Sequence, residues 1–300
     1  MISYLVLIGV VVSIAAILAL ALNFQWGSGG MVNFGLAGFY ALGAYTYALS
    51  ALHGTGTLPA TLTAMAVTAA LSALVALVTL RVTEEDYFAI VTLGVSEMLR
   101  LIALNEDWLT KGALGLSGIP RPLGSVIRPE YYQYFLLALS VALVVGVAWL
   151  LGVIARSPFG RVVRAVREDD IVAATLGKKV LWARVRIFTI GGALIGLAGS
   201  LHCFYYEYID PTQFSNVVVA YAFMAVIAGG RGSSKGAILG ACSVVALLEC
   251  SRIINDWIPS LESTQGSALR IILIGLGLIL LLIYRPQGFM REYRLQVDIK

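Results

Sequence analysis

The chain has 300 residues, 59% of them hydrophobic and 13% charged, with a mean hydropathy of +0.87. A soluble domain carries about 25% charged residues, and no water-soluble fold of this length hides so much apolar surface. A soluble enzyme, a secreted disulfide scaffold, a nucleic-acid binder and a disordered tail are thereby excluded as its main character, and the net charge of +4 is to be read by where the charges lie.

Crossing the bilayer core takes about 20 mostly apolar residues in a helix. In chain order the candidate spans are 3–24, 34–52, 58–80, 87–104, 131–154, 185–207, 217–229, 236–254 and 268–284. The first has no basic segment before it and no polar domain after it, so it reads as an uncleaved span. The expected fold is an all-α polytopic membrane protein with about nine transmembrane helices (8–10), forming one domain over 1–300. The Gly-rich stretch 27–43 is expected to be a broken or re-entrant segment, because flexible polar backbone at membrane depth is tolerated only where it is buried or lines a cavity.

Charge sets the sides. With the long loop 155–184 inside the cell, alternation puts 81–86, 230–235 and the tail 285–300 inside as well. These segments and Arg186 hold 15 of the 21 Lys and Arg residues, from Arg81 to Lys300, whereas the outer loops hold Lys111, Arg121 and Arg128. Arg100, Arg252 and Arg270 lie within or near spans. Fifteen against three predicts an outer N-terminus and an inner C-terminus. The extramembrane pieces are then an outer loop at 105–130, an inner loop at 155–184 and the inner tail, with no segment for a soluble nucleotide-binding or catalytic domain.

Few motifs carry chemistry. The run from Gly229 to Gly236 lacks the Gly-Lys-Ser/Thr ending of a phosphate loop and reads as a basic turn before a helix. His53 and His202 have no acidic or Cys neighbours at ligand spacing, and Cys203, Cys242 and Cys250 read as small buried hydrophobes. Gly192, Gly196 and Gly199, and likewise Gly236 and Gly240, put small residues on one helix face for close packing. Glu97 and Arg100 share a face of one span, as do Glu249 and Arg252 in another; the pairs neutralise themselves near the outer interface. Their surroundings echo each other, with Asp107-Trp108 and Asp256-Trp257 following, which suggests an internal two-fold repeat of parallel halves. The inner stretch 156–177 reads as a short amphipathic helix that Pro158 starts and Gly177 ends, with Arg161, Arg164 and Arg167 at helical spacing and Val162, Val163 and Val166 toward a surface. It either lies on anionic lipid or docks a partner.

That stretch, Arg156-Ser-Pro-Phe-Gly-Arg161 to Ala173-Ala-Thr-Leu-Gly177, resembles the cytoplasmic coupling loop of permease subunits in ATP-binding-cassette (ABC) importers, and more narrowly of the LivM type that takes up branched-chain (hydrophobic) amino acids. The resemblance extends along most of the chain. It includes Gly29-Gly-Met-Val-Asn33-Phe-Gly35 with Ala37-Gly38, the block Asp86-Tyr87 to Gly94, Thr110-Lys-Gly112 with Gly115-Leu-Ser-Gly-Ile-Pro120, and Tyr284-Arg-Pro-Gln-Gly288. The acidic-Ala-Ala core usual in such loops reads Ile171-Val-Ala-Ala174 here, with the acids moved to 168–170.

The resemblance implies a transport subunit of the bacterial inner membrane, not an enzyme. It implies as partners a second homologous permease (a heterodimer), two cytoplasmic ATPase subunits that hold ATP and Mg, and a periplasmic substrate-binding protein; this chain itself binds no cofactor and no nucleic acid. Carried over by position, contact with the ATPases falls to Arg164, Arg167, Glu168, Asp169, Ala173, Ala174 and Gly177. Candidates for the substrate pathway are Asn33, Gly35, Gly38, Thr92, Ser96 and Glu97. A urea or short-amide permease is the close alternative. An ion-coupled secondary transporter using Glu97 and Glu249 is a rival of another class, and a membrane-embedded transferase a weaker one, since the inner loops lack its acidic pairs or His.

Overall fold

The computed structural model describes residues 2–82, 85–124, 126–257, 275, 276, 279, 283 and 288–290. Eleven helices lie among them: α1 (Ile2–Leu22), α2 (Leu36–Leu52), α3 (Thr57–Val82), α4 (Glu85–Asn105), the single turn α5 (Asp107–Thr110), α6 (Pro129–Arg156), α7 (Pro158–Glu168), α8 (Asp170–Thr175), α9 (Val180–Tyr206), α10 (Asn216–Gly229) and α11 (Ser234–Trp257). Each of the first eight expected spans has its helix. Five of the helices are long and apolar enough to cross a membrane, and α2 and α10 are shorter apolar helices. The expected ninth span falls almost wholly outside the described residues, as do the Arg252 side chain, the side chains of Asp256-Trp257 and nearly all of the tail. Glu249 accepts a hydrogen bond from Tyr4 Oη at 2.7 Å, which joins α11 to α1.

Two boundaries differ from the sequence reading. Helix α9 begins at Val180, five residues before the expected span, so Arg184 and Arg186 belong to its first turns. The inner loop holds two helices where one was expected. Asp169 is extended (φ −158°, ψ 109°), and its carboxylate accepts from Val172 N at 2.9 Å, so the residue that interrupts α7 also caps α8. Pro158 and Gly177 punctuate this unit where the sequence placed them: the Ser157 hydroxyl caps α7 through Gly160 N at 3.2 Å, and Gly177, at φ +74°, turns the chain out of α8.

Helix α9 is the centre of the bundle. Some 83% of its most apolar stretch is buried, against 22% for α6, which faces outward with Val141, Val145 and Trp149. The small-residue stripe on α9 makes this position available. A Cβ on Gly196 would stand 2.8 Å from Ala64 O and 3.1 Å from Met65 Cα of α3, and one on Gly43 of α2 would stand 2.6 Å from Gly196 Cα. Gly199 lies against the α2 backbone at Gly43 and Ala44, and Gly192 against Thr68 and Ser72 of α3. Apolar surface gains little by leaving lipid for protein, so such backbone contact and the dispersion it brings hold spans together. The stripe is therefore spent on packing within the chain. Gly229, Gly236 and Gly240 do the same between α10 and α11.

The molecule has two distinct ends. The basic end gathers α7, α8, the irregular segment 29–35 between α1 and α2, and the turn between α10 and α11; Phe289 N and Met290 N donate to Ala228 O and Gly229 O of that turn. At the far end the 106–128 loop folds onto the top of α9. Strand β1 (Leu116–Ser117) pairs antiparallel with β2 (Tyr208–Ile209), Arg121 meets Glu207 at 2.5 Å, and Tyr47 Oη donates to Pro120 O at 2.7 Å. Gly115 permits this ladder: its φ is +69°, and a side chain there would strike Ile209 O.

Replacing Gly196 by Val is expected to destabilise the purified protein by about 2 kcal/mol or more, since two of the three facing atoms, Ala64 O and Met65 Cα, are backbone and cannot retreat. Gly152 on α6 has nothing within 4 Å of an added Cβ. Gly152→Ala is expected to leave the Tm in detergent unchanged or higher, as the gain in helix propensity is roughly 0.5–1 kcal/mol.

Candidate functional site

At the basic end, α1 does not stop at its last regular turn. Residues Asn23–Ser28 continue it as a π-helical turn, closed by Gly29 N donating to Phe24 O five residues back, at 3.2 Å. A π-turn widens the helix and turns side chains out of register. The two amides it carries, Asn23 and Gln25, are buried and each finds a partner on another element. Asn23 Oδ1 accepts from Gly232 N at 2.8 Å, in the turn between α10 and α11. Gln25 Nε2 donates to Phe188 O of α9 at 3.2 Å, while Gln25 Oε1 accepts from Asn33 Nδ2 at 2.8 Å. Asn33 Oδ1 in turn accepts from Gly35 N at 2.9 Å, at the start of α2. Trp26 stacks on Phe223 of α10, with the Arg231 guanidinium 5.0 Å from its ring centre.

The α7–α8 unit is fastened to the same turn. Arg167 Nη1 donates to Gly27 O, and the Arg167 side chain lies over Gly30, which has φ +76° and where an added Cβ would stand 3.2 Å from Arg167 Cγ. Val163 and Val166 of α7, with Ala173 of α8, are buried, Val166 and Ala173 against Ala183 of α9, and Arg184 pairs with Asp170 at 3.2 Å. The unit is thus braced on α9 by apolar contact and on α1 by a charged hydrogen bond. A pocket of about 320 Å³ lies between it and Gly29-Gly30, lined by Arg167, Glu168, Asp169, Asp170 and Arg184.

The residues expected to meet a partner separate into two groups. Arg164, Glu168, Asp169, Ala174 and Gly177 face outward, Arg164 with Nη2 on Ala155 O at 3.1 Å. Ala173 is 2% exposed and faces α9, and Arg167 turns inward to Gly27. The outward face also carries Ile171, Val172 and Leu176, exposed by 74%, 52% and 72%. Sequence reasoning passed these three over in favour of the alanines, although three aliphatic residues among Arg, Glu, Asp and Lys were a signal in themselves.

Five of the six pathway candidates come together and one stands apart. Gly35 lies under Thr92 and Gly38 under Ser96, whose hydroxyl accepts from Gly38 N at 2.8 Å. Asn33 and Thr92 are fully buried, and Thr92 Oγ1 donates to Ala89 O at 2.7 Å. Gly35, Gly38, Thr92 and Ser96 form the contact between α4 and the start of α2, and Asn33 joins it through Gly35 N. Glu97 lies off that seam, partly exposed and bound to Arg100 at 2.5–3.1 Å. The Gly-rich stretch is broken as expected, its irregular part at 29–35 standing at the basic end beside Arg167. Gln25 and Asn23 were missed; the available signal was two amides closing a 21-residue apolar run, since an amide at the edge of a span needs an internal partner.

A largely helical, multi-pass bundle with a braced helical projection at one end defines a polytopic membrane protein. Comparison with known proteins gives the particular group. Residues 4–283 match the family model described as branched-chain amino acid transport system / permease component. The chain is 31% identical over 306 residues to the high-affinity branched-chain amino acid transport system permease protein LivM of Salmonella typhimurium, covering 95% of this chain and 69% of that protein. The figures for its Escherichia coli counterpart are the same. The autoinducer 2 import system permease protein LsrC of Yersinia pestis is 30% identical over 166 residues, covering 51% of this chain and 46% of LsrC. The chain belongs to the branched-chain amino acid transport system permease family.

Gln25→Leu strands the Asn33 amide and detaches it from α9. The expected loss is about 1–3 kcal/mol, the cost of a buried donor left without its acceptor, read as a lower Tm. Gln25→Glu keeps an acceptor for Asn33 but loses the donor to Phe188 O and buries a carboxylate against that carbonyl, so it is expected to lower the Tm as well.

Proposed function

We propose that the chain is one of two related permease subunits in an ABC importer of branched-chain or other hydrophobic amino acids, with its basic end in the cytoplasm. In this reading two ATPase subunits dock there, a binding protein delivers substrate to the far end, and the spans rock between the two openings. The observation that carries the reading is the outward face of α7 and α8. It presents Ile171, Val172 and Leu176 between Arg164, Glu168, Lys178 and Lys179, on a unit too well anchored to fold away. Burying an Ile or Leu side chain is worth about 1.5–3 kcal/mol, so the aliphatic tip supplies affinity while the flanking charges orient the partner.

The anchoring gives this contact a mechanical output. A push on α7 reaches the π-turn through Arg167, and the π-turn holds α9 through Gln25, α2 through Asn33 and the α10–α11 turn through Asn23. One displacement at the docking face thereby acts on five spans. A static apolar contact with lipid would not require the inward Arg167.

Two substitutions test docking. Leu176→Asp is expected to lower retention of the ATPase subunits on the purified membrane complex by tenfold or more, about 1.4 kcal/mol or above. Replacing Arg164 and Glu168 together is expected to retain the subunits and lower the transport obtained per ATP hydrolysed. Full retention with Leu176→Asp, or substrate uptake that persists without any ATPase and stops with an uncoupler, would overturn the reading.

A further inference from the structure

A cavity of about 400 Å³ lies inside the chain between α1, α2, α9, α10 and α11, separate from the seam of Asn33, Thr92 and Ser96. Its walls are largely aliphatic, among them Ile14, Leu18, Val218, Ala222, Val244 and Leu248, and among the described residues no charged side chain lines it. Of its polar lining residues, Tyr40, His202, Tyr206 and Gln213 line it together, and Tyr221 stands on α10. A largely apolar chamber with a few convergent polar groups is the form of a small-molecule site, and about 300–1,000 Å³ is the usual size.

The polar groups form a directed chain. The Asp210 carboxylate only accepts, and it takes Thr212 N at 2.8 Å and Gln213 Nε2 at 2.8 Å. The Gln213 amide is thereby oriented with Oε1 toward His202 Nε2, 2.7 Å away. That nitrogen carries the ring proton, so in a neutral imidazole Nδ1 accepts from Tyr40 Oη at 2.7 Å. Every donor points toward Asp210. Tyr40 Oη, in a side chain 3% exposed, is left as the acceptor at the chamber's end of the chain. Around it the rings of Tyr40, His202 and Tyr206 cluster at centroid distances of 4.5–5.3 Å. An acceptor oxygen among ring faces, with a carboxylate at the end of the relay, favours an ammonium at Tyr40.

We infer that this chamber holds the branched aliphatic side chain of a hydrophobic amino acid during transport, with the amino group at Tyr40 Oη and the carboxylate kept toward water. The inference rests on the transport reading above and adds a site within this subunit that limits the size of the side chain. Ala222 and Val244 set that limit, because both are small wall residues on adjacent helices α10 and α11.

The test is uptake of radiolabelled L-leucine, L-alanine and L-phenylalanine into vesicles containing the whole copurified complex. Ala222→Phe is expected to lower leucine uptake at least tenfold and alanine uptake less than threefold. Val244→Ala is expected to keep leucine uptake and raise phenylalanine uptake severalfold, a gain that a misfolded or merely loosened protein does not give. Tyr40→Phe is expected to raise the KM for leucine about tenfold with ATPase subunits retained. A wild type that transports leucine, with Val244→Ala and Tyr40→Phe both unchanged in KM and selectivity, overturns the assignment and leaves the transport reading standing. A wild type that takes up none of the three amino acids overturns both.

Discussion

The Gln25 amide, held between Phe188 O and Asn33 Nδ2, is the contact on which the arrangement of the basic end depends. In hydrocarbon a polar side chain has no water to fall back on, so its partners must come from other parts of the chain. Gln25 has both partners on other elements, and Asn23 and Gly27, two residues to either side, have theirs on two further ones. The π-helical widening makes this possible by spreading three successive polar groups over directions that a regular α-helix would not serve. Four separate elements are thereby referred to the six residues of the π-turn that follows α1.

A polar knot transmits force only if the spans it holds are stiff. That stiffness comes from the glycine contacts of α9 with α2 and α3, where backbone meets backbone at Gly43, Gly196 and Gly199. Close-packed interfaces of this kind shift between discrete arrangements and do not deform smoothly. The same seam brings α2 close enough for Tyr40 to reach His202, and so the packing that stiffens the bundle also builds the polar end of the chamber. At the far end, the β1–β2 pair and the Arg121–Glu207 bridge tie the loop above α6 to the top of α9, next to the Asp210 turn. A ligand or protein acting there would meet the chamber's hydrogen-bond relay within a few residues.

The elements were legible from the sequence because hydropathy and charge act locally. The apolar runs gave eight spans to within a few residues, and Pro158 and Gly177 bounded the α7–α8 unit. The break at Asp169 was not visible, since an acid among acids carries no mark of being a cap; only its extended backbone makes it one. Of the six pathway candidates, Asn33, Thr92, Ser96 and Glu97 are polar residues in apolar surroundings and Gly35 and Gly38 come from the Gly-rich stretch; Gly35, Gly38, Thr92 and Ser96 share one helix contact. Polarity within a span signals that a partner exists and leaves open whether that partner is a neighbouring helix or a passing ligand. Tyr40, His202 and Gln213 illustrate the converse, because nothing in a sequence relates positions 40, 202 and 213.

By itself the sequence determined that the chain spans a membrane many times, which of its ends is basic, and where one loop is built as a helical projection. Each of these follows from solvation and short-range backbone preference, which act over one or two dozen residues. Only the tertiary structure decided that Arg167 faces inward and Leu176 outward, that Gln25 is a junction, and that the α9 stripe serves packing within the chain. Those outcomes depend on which groups meet across 100 to 200 residues of chain, and in a medium without water each buried polar group takes whatever partner the packing brings to it.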